Sequence, residues 1–419
     1  MSDYSKYFLM KAEDVPDYVR TKLPDFFAKD AKLTSAEIGD GNLNYVFRVC
    51  DEVSGKTIIV KQAGVELRIS KDMHLSTDRG RIEAKILSIQ EKFAPGLVPH
   101  VYLYDGTMCA ITMEDMVGHT MMRTGLLQHT IYPRFAEDIS TFMARSLLLS
   151  TNVVMDHKEK KELVKSFINP DLCDLTEHLV YTEPYNDDAH RNHVFAPNAD
   201  FVKKEIYDDE ALHLEAAKLK FQFMNDAQSL IHGDLHTGSI FINQQHMYVF
   251  DPEFAFYGPM GYDVGNVLAN MFFAWCNGDA TIADAAARQK FCGWVLQTIA
   301  DIVDKFSAKF RKIYEENVHD AMAKTPGFLD YYLGTVLADT AGVTGIELIR
   351  RTVGIANVKD ITSIADTEKR TRAERIIITL AKHCIMHRAE MKTGKDYLKA
   401  IKAAVAKFPQ QGALKQKAS

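Results

Sequence analysis

The spacing of apolar residues changes character roughly a quarter of the way along the chain. From Leu33 to Lys61 the pattern is strand-like: an alternating segment around Tyr45-Val46-Phe47-Arg48-Val49, a turn at Asp51–Gly55, then the β-branched run Thr57-Ile58-Ile59-Val60-Lys61. Short β-branched runs bounded by Gly and Asp predict an antiparallel hairpin. Thr77 to Lys92 instead reads as a helix, with Ile82, Ile86 and Ile89 spaced along one face. Strands return at Val101–Tyr104 and Met108–Met113, joined by the turn pair Asp105-Gly106. These segments predict a small sheet with one inserted helix, ending near Asp115.

After Gly118 the helical period takes over. Within Ala286–Ile313, Phe291, Val295, Ile299, Ile302, Phe306 and Phe310 recur at three- and four-residue spacing, so one stripe faces a core. A strand pair, Ser229–Ile231 and Ile240–Ile242 with Met247–Phe250, interrupts the helices. Between Pro170 and Pro197 the composition is polar and turn-rich, which predicts an excursion at the surface. The fold class expected is α+β: a small antiparallel β-rich N-lobe with one helix over residues 1–116, and a larger, mainly helical C-lobe over 117–407. Residues 408–419 read as a disordered tail.

Composition narrows the function without naming it. The chain has 419 residues, 47% apolar and 25% charged, as expected of a soluble globular protein with a sizeable core. Fifty basic residues against 56 acidic ones give a net charge of -6, so no overall field draws the chain to nucleic acid or an anionic membrane. Lys392, Lys395, Lys399, Lys402, Lys407, Lys415 and Lys417 read as a solvated helix face and a frayed end, because no stacking aromatics alternate with them. The six cysteines are scattered with no C-x-x-C, which argues against structural zinc or a disulfide framework. Reduced thiols and a cytoplasmic location are expected. Met1–Asp14 lacks the apolar core of a signal peptide, and the longest apolar stretch, near Val267–Cys276, is too short to span a bilayer.

One motif decides the chemistry. His232-Gly233-Asp234-Leu235-His236-Thr237-Gly238-Ser239 lies between two short apolar strands, and Asp251-Pro252-Glu253-Phe254 follows. Phosphoryl transfer needs one acid to orient the attacking hydroxyl and separate oxygen ligands that hold Mg²⁺ on the nucleotide phosphates. Asp234 supplies the first role and Asp251 the second. Glu253 lies two residues beyond Asp251, on the same side if the backbone is extended, and would complete the metal site.

The matching nucleotide-binding parts lie upstream in the right order. Gly39-Asp40-Gly41-Asn42-Leu43-Asn44-Tyr45-Val46 has the outline of a glycine-rich phosphate turn, with Asn44 in place of the third glycine. An asparagine there offers an amide to phosphate and tolerates positive φ. Lys61 ends an apolar strand, the context of a lysine that contacts phosphates, and Glu83 on the following helix is the carboxylate to pair with it. Glu114, Asp115 and Met116 form the connector where adenine would meet backbone groups. Asp263 is either an ordinary helix N-cap or a brace for the catalytic loop, and His236 either orients that loop or is a satisfied structural histidine.

Together these residues resemble the protein-kinase-like superfamily of small-molecule kinases, in the branch of aminoglycoside and choline kinases. That branch usually carries H-G-D-x-H-x-x-N, whereas Ser239 stands here where the metal-binding Asn is expected, and Asp-Pro-Glu replaces Asp-x-x-Asp or Asp-Phe-Gly. With those departures, His232–Ser239, Asp251–Pro259 and Gly39–Phe47 are similar to the methylthioribose kinase family. So are Asn169–Asp174 and Glu347–Thr352. The resemblance implies a bilobal kinase-like fold and ATP- and Mg²⁺-dependent phosphorylation of the 1-hydroxyl of 5-methylthioribose in methionine salvage, by a cytoplasmic homodimer. It also implies that Arg350 and Arg351 belong to the substrate site.

The arginine pair has a physical reading of its own. Glu347, four residues before Arg351, can hold it by an ion pair along the helix. A guanidinium fork equally suits ribose hydroxyls or the transferred phosphoryl group. Aminoglycosides and choline are cations, which a double arginine would repel, so a neutral sugar fits better. The alternatives are a kinase of another small alcohol, of aminoglycoside, choline or amino-alcohol type, and a catalytically weak ATP-binding scaffold.

Overall fold

The computed structural model describes residues 3–38, 44–64 and 76–409. The glycine turn Gly39–Leu43 and the chain end from 410 lie outside the described residues. The chain divides into two compact units, Met1–His119 with Tyr248–Ala255, and Thr120–Met247 with Phe256–Ser419.

Unit one is built on a five-stranded antiparallel sheet. Helix α1 (Val15–Lys22) precedes β1 (Leu33–Glu37), β2 (Asn44–Asp51) and β3 (Thr57–Ala63); helix α2 (Asp78–Phe93) then leads to β4 (Val101–Asp105) and β5 (Ala110–Met113). The strands lie in the order β1-β2-β3-β5-β4. β3 is central, so its Ile58, Ile59 and Val60 are all buried, whereas the edge strand β1 keeps no fully buried residue. A continuous apolar run suits a strand covered on both faces. Tyr18 and Val19 of α1 join Phe47, Val49, Ile58 and Val60 in one core cluster. Each such fully buried side chain contributes about 1.5–3 kcal/mol. The register pairs Lys61 with Val46 on one side and Ile111 on the other, which fixes the lysine in the middle of the sheet.

Unit two is mainly helical, with small strands that carry the loops. β6 (Thr120–Met121) leads into α3 (Met122–Leu127) and α4 (Phe135–Leu148). The predicted stripe Phe291 to Phe310 is buried along the Ala285–Asn317 helix, which packs on α4. The Gly261–Thr281 helix is buried on nearly every side, and the polar stripe Asp263, Asn266, Asn270 and Asn277 is buried with it. It crosses the Phe328–Val353 helix at backbone distance: a Cβ on Gly265 would lie 2.8 Å from Thr340 O and Thr344 N. Only glycine permits that approach, and it brings residues of the two helices beside one another.

Two expectations need correction. Strand β7 (Ser229–Ile231) does not pair with β8 (Ile240–Ile242); β8 pairs with β6, while β7 pairs with β10 (Phe256–Gly258), β9 being Met247–Val249. Three-residue strands carry too little pattern to reveal a partner so far along the chain. Pro170–Pro197 is not simply a loop, since Pro170–Leu179 and Glu183–Asn186 are helical. A proline in the first turn starts each one, where its missing N–H is no loss. Among the described residues no helix is long and apolar enough to cross a membrane.

Candidate active site

Unit one gathers a lysine and three acids. Lys61 Nζ is 2.7 Å from Glu83 Oε2 and also contacts Asp251 Oδ1. Glu83, Asp251 and Glu253 each offer a carboxylate oxygen within 4.8 Å of the others. The Glu83 side chain is presented by α2 beside the buried Ile82, Ile86 and Leu87, so the apolar face of that helix fixes the acid.

The route by which Glu253 arrives differs from expectation. Asp251 has φ of 66°, so the backbone turns there and is not extended. Asp is among the residues that enter this region most readily. Glu253 is then held by Asn44 Nδ2 at 3.1 Å and by Arg79 Nε at 3.5 Å. Asn44 is the first residue of β2. Its amide is engaged with the Glu253 carboxylate.

Three carboxylates face two cations, and their titration follows. Burial, reinforced by the Asp251 charge, pushes Glu253 up to about 8. Glu83 rises to about 7, again through burial, with Lys61 opposing and Asp251 reinforcing the shift. For Lys61 burial disfavours the charge, but Asp251, Glu83 and Glu253 together outweigh it and hold the ammonium protonated. The cluster is short of positive charge, and its donors are hard oxygens of the kind Mg²⁺ takes.

The connector residues are occupied in their side chains. The Glu114 carboxylate accepts hydrogen bonds from His100 N and Tyr248 OH, each at 3.1 Å, and Asp115 receives Arg48 in a two-bond fork of 2.6 and 3.0 Å. Among the described residues the Glu114 carbonyl and the Met116 N–H have no backbone partner. The Asp115 N–H has none either, so the connector carries one acceptor and two donors without a backbone partner among the described residues.

Unit two builds the second group around Asp234. Its loop is braced by Asp263, which accepts from His232 N at 2.7 Å and Gly233 N at 3.0 Å. Asp263 lies in the first turn of its helix, which starts at Gly261, and is not the N-cap. Arg350 Nη2 and Arg351 Nη2 lie 3.6 and 3.8 Å from Asp234 Oδ1, and His236 Nε2 lies 3.3 Å from Oδ2. Burial opposes the Asp234 charge, but His236 and the two guanidinium groups outweigh it and hold the carboxyl well below the usual range. Glu347 receives Arg351 Nε at 3.1 Å and also Arg350 Nε, so the pair is oriented by an acid that is 1% exposed. Arg351 therefore makes the Glu347 contact foreseen for it, and lies beside Asp234 as well. Ser239 Oγ donates to Asp234 O at 2.9 Å, and so supports the loop.

Sequence reasoning missed Arg123, Asn270 and Arg79. Arg123 Nη2 donates to Asn270 Oδ1 at 2.9 Å, and Asn270 Nδ2 is 3.4 Å from Glu347 Oε1. No motif surrounds Arg123, and its role depends on contacts far away in sequence. Arg79 carried a local signal, four residues before Glu83 on the same helix, but its partner Glu253 is distant.

A family model described as the phosphotransferase enzyme family matches residues 35–300. The methylthioribose kinase of Geobacillus thermodenitrificans is 36% identical over 372 residues, 88% of this chain and 91% of that one. The methylthioribose kinase of Pectobacterium atrosepticum is 33% identical over 413 residues, 98% of this chain and 100% of that one. Among solved structures, a choline kinase from Cryptosporidium parvum aligns with a TM-score of 0.48 and 12% identity, covering 95% of this chain and 97% of that one. With near-complete coverage by such relatives and the Asp234, Asp251 and double-arginine motifs in place, the chain belongs to the methylthioribose kinase family of phosphotransferases.

Proposed function

We propose that this protein transfers the γ-phosphoryl group of ATP to the 1-hydroxyl of 5-methylthioribose, giving 5-methylthioribose 1-phosphate and ADP in methionine salvage. The observation that carries the reading is the arginine pair beside Asp234 in a chain matched over nearly its whole length by methylthioribose kinases. Asp234 orients the anomeric hydroxyl and accepts its proton as the O–P bond forms. That hydroxyl is more acidic than an ordinary alcohol, so a carboxylate kept ionised is an adequate base. Arg350 and Arg351 engage the sugar and then the phosphate it acquires.

Lys61, held by Glu83, positions the nucleotide phosphates, and the Glu114–Met116 connector receives adenine through its backbone. Asp251 and Glu253 would hold Mg²⁺, with Glu83 close by. When bound, the ion neutralises charge on the phosphates. Asn44 acts here by steadying Glu253. We further propose a homodimer in the cytoplasm, on the strength of the family resemblance.

The double arginine separates this reading from a kinase of cationic aminoglycosides or choline, which it would repel. Lys61, Asp234 and Asp251 together disfavour a catalytically weak scaffold. ADP release measured with methylthioribose, choline, ethanolamine and an aminoglycoside decides the matter. Turnover with methylthioribose alone is expected. Preference for a cationic alcohol, or ATP binding without transfer to any of them, would overturn the proposal.

A further inference from the structure

The ring of His236 is held at both nitrogens. Gly238 N–H donates to Nδ1 at 2.9 Å. A ring nitrogen that accepts a hydrogen bond carries no proton, so the single ring proton sits on Nε2, which lies 3.3 Å from Asp234 Oδ2. The approach of the Gly238 amide depends on the absent side chain: a Cβ there would lie 2.6 Å from His236 Cε1 and 2.9 Å from Nδ1. The sequence His-Thr-Gly therefore encodes one tautomer.

We propose that His236 is a positioning residue, a neutral Nε2–H donor that fixes which oxygen of Asp234 faces the substrate hydroxyl, and that Arg123 keeps the ring neutral. Asp234 Oδ2 is taken by the ring. Oδ1 sits 3.6 and 3.8 Å from Arg350 and Arg351, too far for a fixed hydrogen bond, and keeps its lone pairs for the hydroxyl. Without the ring, the carboxylate is free to turn into a two-bond fork with a guanidinium, which would occupy the oxygen the reaction needs.

Charges face the ring from three sides. Asp234, in its own loop, favours the imidazolium. Arg123 on α3, whose Nη1 lies 3.5 Å from the point where a Gly238 Cβ would stand 2.6 Å from the ring, and Arg351 on the Phe328–Val353 helix, beside Arg350, disfavour it. Asp360 stands 3.8 Å from Arg123 Nε, and Glu347 holds the arginine pair. Burial comes first in setting the balance, and with Arg123 and Arg351 it outweighs Asp234 and leaves His236 below the usual imidazole range. Arg123 is fixed for this role: its backbone N–H donates to Thr237 O at 3.0 Å and its Nη2 to Asn270 at 2.9 Å.

The inference rests on Asp234 as the acceptor of the hydroxyl proton, and its test is arranged so that the two can fail separately. Imidazole-¹⁵N spectra of the full chain are recorded over roughly pH 5 to 9, beside kcat and KM for His236→Ala, His236→Gln and Arg123→Gln. In the wild type the His236 ring is expected to show one protonated and one bare nitrogen throughout the ordinary imidazole range. His236→Ala should lower kcat by about 10²-fold with KM for ATP unchanged, and His236→Gln, which restores a donor towards Asp234, should recover most of the loss. Arg123→Gln should move both ring protonation and the acid limb of kcat to higher pH. A doubly protonated ring at neutral pH, equal losses in the alanine and glutamine variants, or an unmoved onset in Arg123→Gln would each overturn it. If the wild type ignores methylthioribose, the assigned substrate falls, while the ring spectra still decide the state of His236.

Discussion

Two groups of buried and half-buried acids in this molecule have opposite electrostatic character. In unit one, Glu83 and Glu253 are pushed up to about 7 and 8. In unit two, Asp234 and Glu347 are driven below the ordinary carboxylate range. Burial raises all four, so burial does not decide the sign. The count of neighbouring charges does: Glu83, Asp251 and Glu253 share Lys61 and Arg79, whereas Asp234 and Glu347 are met by Arg350 and Arg351 together, with a histidine N–H besides. The first group has negative charge to spare and suits a metal-bound polyphosphate. The second has cations in place and suits a hydroxyl that becomes a phosphate ester.

If the division is right, the two groups can be disabled separately. Asp234→Ala is expected to lower turnover by about 10²–10⁴-fold. Nucleotide affinity should hardly change, because Lys61, Glu83, Asp251 and Glu253 do not touch Asp234's role. Single-turnover transfer and equilibrium binding of Mg·ATP measure the two quantities. A parallel loss of ATP affinity would break the comparison, since Asp234 would then serve the nucleotide as well.

Glu347 tests the second group from the inside. Glu347→Gln removes the acid that neutralises Arg350 and Arg351 and leaves two buried guanidinium groups undercompensated. Breaking a buried pair in this way costs about 3–5 kcal/mol, measurable from the urea midpoint. A cost below about 1 kcal/mol would place the pair in the class of surface ion pairs, and Glu347 would then have no claim to orient the arginines.

Legibility in the sequence follows the range of each interaction. β2, β3 and α2 were predictable because the alternation of β2, the β-branched run of β3 and the helical period of α2 are local, and Lys61, Asp234 and Asp251 stood out because short motifs surround them. The pairing of Ser229–Ile231 with Phe256–Gly258 was not, because three residues carry no register signal. The Gly261–Thr281 helix, buried nearly all round, turns even its polar stripe of Asp263, Asn266, Asn270 and Asn277 inward, so polarity along it does not mark a solvent face. Arg123 and Arg79 were missed for the same reason as that pairing: each acquires its meaning from a residue far along the chain. His236 and Asp263 were seen but left open, and only the positions of Gly238 N and Gly233 N decide between brace and bystander.

An exposed counterpart sharpens the comparison further. Glu137, like Glu347, is an acid held by two cations, with Lys305 and Lys309 both 2.7 Å away, but its side chain is 48% exposed. Hydrogen bonds from the two lysines lower it to about 2. Its folded value lies below the unfolded one, so any stability it contributes is present above the ordinary glutamate range of about 4.3 and is lost as pH falls toward about 2. Solvent screens such a pair, so the shift overstates its worth, and about 0.2–1 kcal/mol is the expected scale. Glu137→Gln should therefore shift the urea midpoint slightly at neutral pH and low salt, with the difference fading in acid and at high salt. A loss as large as that of Glu347→Gln would show that contact geometry, rather than burial, sets what an acid between two cations is worth.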